Sequence, residues 1–350
     1  MTLRSLLVGA AALTVGGSAA VAQAPAGPPL PPPKIHHIHF NSPNPDAAIA
    51  EYIKAHPLMT ATSFEGVKAV KATNNIYFLF NKVARAPKVA LPDKITARNP
   101  QTPFWHMVIG TKALVGTLAQ YKRDIPNFQA RILPLYVDKG GKTVELAGLE
   151  TLTGFNTDAQ LAERRAKGDK PDGNPSYFTW VGPDGAIIES VPRGQEGAMQ
   201  SYVLFQDQPY CAMLWYRDHL NATIPAPQGG RPQPAQLTGA DCTVKQDPTP
   251  SWPSTYKRGH LRNPASMGVN FGADGVRWYM NQEKRPVAPM RGSVVDHLGM
   301  SVADLDPWIA KLRAEKVKFL QGPRPYRVGS RRAIMIEGPS HEAIELIEIK

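Results

Sequence analysis

The chain repeats itself, and that constrains its fold more than any local propensity. Four times a short apolar strand pattern runs through a turn signal into a helical pattern. The clearest copies lie at the two ends. Lys34-Ile35-His36-His37-Ile38-His39-Phe40 reads as a strand with Ile35, His37 and His39 on one face and His36, Ile38 and Phe40 on the other. His37-Ile38-His39-Phe40 superimposes on His297-Leu298-Gly299-Met300, and helical stretches follow at residues 47–54 and 308–313. A third copy starts at Phe104-Trp105-His106-Met107-Val108-Ile109-Gly110, with its helix over residues 113–124. The fourth starts at Ser201-Tyr202-Val203-Leu204-Phe205, with its helix over residues 212–220. Two imidazoles two residues apart on one strand face look into one cavity, and imidazole is a common ligand for Zn, Fe, Ni and Cu.

Two further motifs complete the pattern. Gly182-Pro183-Asp184-Gly185 turns into a strand that presents Glu189, and Gly338-Pro339-Ser340-His341-Glu342 leads likewise to Glu345. Strand, helix and three strands, four times over, resembles the vicinal oxygen chelate superfamily of glyoxalases, extradiol dioxygenases and bleomycin- or fosfomycin-resistance proteins. The resemblance covers most of residues 35–350. It implies an α+β fold of four βαβββ modules, paired in chain order into two half-barrel domains at residues 35–195 and 196–350.

The resemblance also implies a metal site. In this family the first-strand histidine of each paired module and the last-strand glutamate of one hold the ion. Carried over by position, the N-terminal pair supplies His37, His106 and Glu189. The C-terminal pair keeps His297 and Glu345 but has Ser201 and Val203 where a histidine should stand. That half is therefore expected to be a degenerate scaffold. Two imidazoles and a carboxylate suit Fe(II), with Zn, Mn or Ni as alternatives, and leave open positions for two neighbouring oxygens of a small organic substrate. His39 is expected beside the site as a base or alternative ligand. Tyr177, twelve residues before Glu189, resembles the tyrosine that extradiol dioxygenases place beside their metal. Their second-shell histidine has no counterpart, because residues 88–103 contain no His. Dioxygenase, lyase and isomerase chemistry all stay open. So does a metal-independent binding or sequestration protein of the bleomycin-resistance type.

The remaining segments bear on location and partners. Residues 1–22 read as a Sec-type signal peptide: Arg4, the apolar run 5–15 (too short to span a bilayer) and Ala20-Val21-Ala22 for cleavage. A periplasmic or secreted protein without stable membrane insertion is the expectation, with a proline-rich tether over residues 23–34. The net charge of +11 is spread along the chain, without the basic stripe of a nucleic-acid binder. An oligomer is compatible with the sequence. Cys211 and Cys242 are the only cysteines, and in an oxidising compartment they suggest one disulfide clipping a proline-rich loop, residues 225–253, to a helix. An insertion over residues 137–175 is placed near the pocket mouth by its position upstream of Glu189.

Overall fold

The computed structural model describes residues 30–87, 102–133, 177–206, 209–225, 266–280 and 287–350. Residues 1–29, the 137–175 insertion and Cys242 lie outside the described residues, so the leader, the tether's start and the proposed disulfide have no structural account here.

The first module comprises β1 (Lys34–Ser42), α1 (Pro45–Ala55), β2 (Thr60–Phe64), β3 (Val67–Lys71) and β4 (Tyr77–Lys82). The second comprises β5 (Phe104–Gly110), α2 (Leu114–Asp124), α3 (Phe128–Arg131), β6 (Ile132–Leu133), β7 (Phe178–Val181) and β8 (Ile187–Val191). The third is β9 (Met199–Gln206), α4 (Pro209–Leu220), β10 (Ser266–Phe271) and β11 (Asp274–Met280). The fourth is β12 (Val295–Val302), α5 (Leu305–Ala314), β13 (Tyr326–Val328), β14 (Arg331–Glu337) and β15 (Ala343–Glu348). The helices start where side chains can cap them. The Asn44 side chain accepts from the Ala47 amide ahead of α1, with Pro45 at the first helical position, and Asp304 accepts from the Asp306 amide ahead of α5.

The strands form two curled sheets, and the modules are shared between them differently from chain order. An eight-stranded sheet runs β13-β14-β15-β12-β1-β4-β3-β2, and a seven-stranded sheet runs β10-β11-β9-β5-β8-β7-β6. Module one therefore pairs with module four, and module two with module three, instead of the divisions 35–195 and 196–350. Connection length supplies the physical reason. Seven residues, 192–198, separate β8 from β9, and elements joined by so short a link stay neighbours. Gly194 and Gly197 take left-handed φ angles within that link, and Gly110 at the end of β5 holds it by backbone hydrogen bonds to Gly197 and Ala198. The 21 residues between β4 and β5, and the 14 between β11 and β12, are long enough to change sheets.

Each sheet has a helix-covered apolar face and an opposite face that carries the polar chemistry. In module one, fully buried Tyr52 of α1 packs edge-on to Phe78 and lies against Phe40 and Phe80. Truncating a buried aromatic of this kind costs roughly 3–5 kcal/mol. Ile38 and Phe40 of β1 thus face the helix, and His37 and His39 face away. The outer hairpins of the eight-stranded sheet meet across its curl. Glu65, in the β2–β3 turn, accepts from the amide (2.7 Å) and hydroxyl (2.8 Å) of Ser330 in the β13–β14 turn and pairs with Arg331 (2.9 Å), the first residue of β14.

Candidate metal centre

The register of β1 against β12 builds the site. These central strands run antiparallel, with His37 opposite Gly299 and His39 opposite His297. On the far side of β12, Glu345 of β15 stands beside Gly299. One rung therefore holds His37, Gly299 and Glu345, and the next holds His39 and His297. Gly299 must be small: a Cβ there would overlap Cε1, Nδ1 and Nε2 of the His37 ring. The glycine lets an imidazole from one strand lie across its neighbour and meet a carboxylate from the third.

Each strand bulges immediately before its key histidine. The register skips His36 in β1 and Asp296 in β12. A bulge adds a residue and re-aims its neighbours, so His36 leaves the Ile38/Phe40 face that strict alternation assigns to it. Its ring packs against Phe64 and Tyr77, and its Nδ1 is 2.9 Å from Nδ1 of His37. Asp296 does the equivalent for His297, with Oδ1 2.7 Å from His297 Nδ1. Asp296 is itself held by the Gly292 amide (2.8 Å), Asn41 (3.3 Å) and Arg291.

The electrostatics follow from these contacts. A carboxylate accepts, so His297 donates from Nδ1 to Asp296, and the neutral form of the ring then presents its lone pair at Nε2. That Nε2 faces His39 Nδ1 at 3.1 Å and Glu345 Oε2 at 3.8 Å. His37 Nε2 and Glu345 Oε1 approach to 3.3 Å, yet both are buried without a hydrogen-bond partner, as is His39 Nε2. Tyr326 donates to Glu345 Oε2 at 2.5 Å. Burial is the first influence on His37, His39 and Glu345. It lowers the His37 pKa, and it holds His39 down to about 3 with added repulsion from His297 and His37. Burial alone would raise the Glu345 carboxyl, but His37, His297 and Tyr326 outweigh it and hold the group at about 2. The site thus gathers buried imidazoles around an ionised carboxylate.

The predicted trio of His37, His106 and Glu189 is divided between the sheets. His37 converges on His39, His297 and Glu345. His106 of β5 pairs with Glu189 of β8 in the seven-stranded sheet, Nε2 to Oε2 3.2 Å. The same register recurs there, with His106 opposite Val203, Val108 opposite Ser201, and Glu189 beside Val108. Ser201 thus stands where His37 stands in the other sheet, and Val203 stands where His39 does. Tyr177 lies with this second group, packed against a cluster that includes Trp105, Val108, Val203 and Phe205. Burial raises its phenol pKa, and Glu189 adds to the effect. Position matching grouped first-strand histidines with a last-strand glutamate, but the strands that it joined lie in different sheets. Asp296, Tyr326 and Gly299 were missed. The readable signal was Asp296-His297 echoing His36-His37.

Among the described residues, His37, His39 and His297 form a group whose ligand atoms all lie within 4.8 Å of one another. The donor set fits a divalent cation. Imidazole nitrogen together with carboxylate oxygen is a donor set for Fe, Zn, Mn or Ni.

The architecture and site define a protein of paired βαβββ modules around a buried His/Glu cluster. Residues 199–346 match the family described as Glyoxalase/Bleomycin resistance protein/Dioxygenase superfamily. Glyoxalase I from Zea mays superimposes with a TM-score of 0.54 at 10% identity, covering 90% of this chain and 92% of that one. A single-substitution variant of that maize enzyme gives 0.54 at 11% identity, with the same coverage. A putative dioxygenase from Bacillus subtilis subsp. subtilis str. 168 gives 0.52 at 10% identity, covering 91% and 86%. At such identities these likenesses show the fold. No curated protein matches the chain. The family match thus covers the third and fourth modules, and the fold of the described residues is the one these solved structures share.

Proposed function

We propose that this protein is a divalent-metal-dependent enzyme acting on a small organic substrate with two adjacent oxygens, its metal held by His37, His297 and Glu345. The observation that carries the reading is the buried convergence of the His37 and His297 imidazoles on the ionised Glu345 carboxylate. The three come from the first strands of two paired modules and the last strand of one, which is the family's ligand pattern once modules one and four are joined.

When bound, the ion supplies Lewis acidity to two neighbouring substrate oxygens. The chain's own residues prepare the place. Asp296 fixes the His297 tautomer, so Nε2 is the atom turned inward. Tyr326 occupies Oε2 of Glu345 and leaves Oε1 toward His37. Burial keeps His37 and His39 neutral near pH 7, so no proton has to leave before they coordinate. Two imidazoles and one carboxylate favour Fe(II), with Zn, Mn and Ni behind it. Dioxygenase, lyase and isomerase chemistry all suit such a centre.

Metal per chain, measured on wild type, His297→Ala and His106→Ala purified identically, tests the reading. The expected result is about one equivalent in wild type and His106→Ala, and near none in His297→Ala. Loss in His106→Ala with retention in His297→Ala would overturn it. A metal-free wild type that still binds small ligands would leave a sequestration protein instead.

A further inference from the structure

We infer that His39 is a fourth protein ligand, making the centre a three-histidine, one-carboxylate site that takes a bidentate ligand and no further small molecule. The inference rests on the metal reading above and goes beyond it, because the family pattern assigns this position no ligand.

The pseudo-symmetry of the sheet isolates His39. Exchanging β1 and β12 carries His37 onto His297 and His39 onto Gly299, since His37 lies opposite Gly299 and His39 opposite His297. On the β12 side that position is empty of side chain, and the His37 ring fills the space. On the β1 side it carries an imidazole. The same exchange carries Glu345, beside Gly299, onto Leu79, beside His39. Module one therefore offers an aliphatic side chain where module four offers its carboxylate. The donor missing at Leu79 is replaced from the neighbouring strand by His39.

The geometry agrees. The His39 ring is 4.5 Å from that of His297, centroid to centroid, and its Nδ1 is 3.1 Å from the bare Nε2 of His297. His39 is 7% exposed, so water offers its ring little. The alternative is a plain hydrogen bond from His39 Nδ1–H to His297 Nε2. That bond would occupy the very lone pair that His297 is oriented by Asp296 to present. Four protein donors on a six-coordinate ion leave two positions, against three for a two-histidine, one-carboxylate centre. Two positions match the two oxygens of one chelating substrate and leave none for dioxygen, which turns the centre from oxygenase toward isomerase or lyase chemistry.

Full-length protein loaded with Co(II) tests this without any assay of turnover. The proton spectrum of the wild type should show three hyperfine-shifted, solvent-exchangeable imidazole N–H signals, one for each coordinated histidine. Two signals would overturn the inference. His39→Gln keeps an N–H donor for the hydrogen-bond alternative but removes the imidazole. Its Co(II) affinity, by competition with a chromophoric chelator, should fall by at least about tenfold, since losing a mere outer-shell partner already costs ~10–100-fold. Affinity within about threefold of wild type, with the visible Co(II) spectrum unchanged, would overturn the inference while His297→Ala still loses the metal. No Co(II) uptake by wild type would instead overturn the metal reading, and this inference with it.

Discussion

Gly299→Ala is the smallest change that should dismantle the site. Gly299 takes no left-handed φ, so alanine can adopt its backbone. Alone, that exchange in a strand would be neutral or stabilising by about 0.5–1 kcal/mol, because alanine loses less chain entropy on folding. Here the added methyl meets the His37 imidazole. To regain ordinary van der Waals contact the ring must retreat by roughly 1.5 Å. It has little room: His37 is fully buried, with His36 2.9 Å away on one side and the His297 ring on another. Overpacking of this kind costs about 1–3 kcal/mol, which should exceed the entropic gain and leave a net loss of up to about 2 kcal/mol. The same displacement carries Nε2 away from Glu345, so metal affinity should fall by about tenfold or more.

Chemical denaturation and metal titration of four proteins measure this: wild type, Gly299→Ala, His37→Ala and the double variant. Removing the ring should abolish the clash, so Gly299→Ala should cost nothing in the His37→Ala background. The cycle then gives a coupling of about 1–3 kcal/mol. An equal cost of Gly299→Ala with and without the ring would show that the glycine serves the backbone alone. Wild-type metal affinity in Gly299→Ala would sink the placement of His37 among the ligands.

Two predictions concern the surroundings. Glu65→Ala should release the outer hairpins from one another: hydrogen exchange should speed up at the Ser330 amide and in both turns, and unchanged exchange would deny Glu65 this closing role. Glu342 is fully buried against Tyr216 of α4, and burial pushes its carboxyl up to about 7 from an ordinary 4.5. The folded state then holds a proton that the unfolded state has released, so stability should fall as pH rises from about 4.5 to about 7, by up to about 3 kcal/mol. Glu342→Gln should flatten that part of the profile, and an unaltered slope would refute the assignment.

The helices and the repeating modules were legible in the sequence because each is local. Apolar spacing within a dozen residues, Pro45 and Asn44 ahead of α1, and the Gly-Pro-Asp-Gly turn before β8 all act over short range. Which strands meet was not local. First strands that look alike in sequence can pair in either combination, and chain order suggests the wrong one. The deciding feature was the short link 192–198, too brief to carry the chain out of the sheet it had just entered. Glu345 and His297 were visible as family positions but read as remnants, since their partner histidine was sought at Ser201 and Val203 instead of in the first module, at His37. Asp184 and Gly185 turn through left-handed angles as their dipeptide suggests, and that turn delivers Glu189, as expected, to the strand beside β5.

The bulges distinguish the sheet that holds the proposed centre from the one that does not. Bulges recur immediately before the ligand position in all four modules: at His36, Trp105, Gln200 and Asp296. In the eight-stranded sheet both bulged residues address Nδ1 of the histidine that follows. In the seven-stranded sheet Trp105 lies edge-on to the His106 ring at 4.2 Å, and Gln200 donates to the Arg193 carbonyl ahead of a serine. The backbone device that aims a ligand is retained in both sheets, since it depends only on register. What differs is the side chain it aims and the group behind it. Asp296 at its bulge sets the His297 tautomer, His36 at its bulge meets the His37 Nδ1, and the Trp105 indole packs edge-on to the His106 ring. Of the four adjacent residue pairs at these bulges, only His36-His37 and Asp296-His297 join a polar bulge residue to the Nδ1 of the following histidine, which is why the proposed centre falls in the eight-stranded sheet.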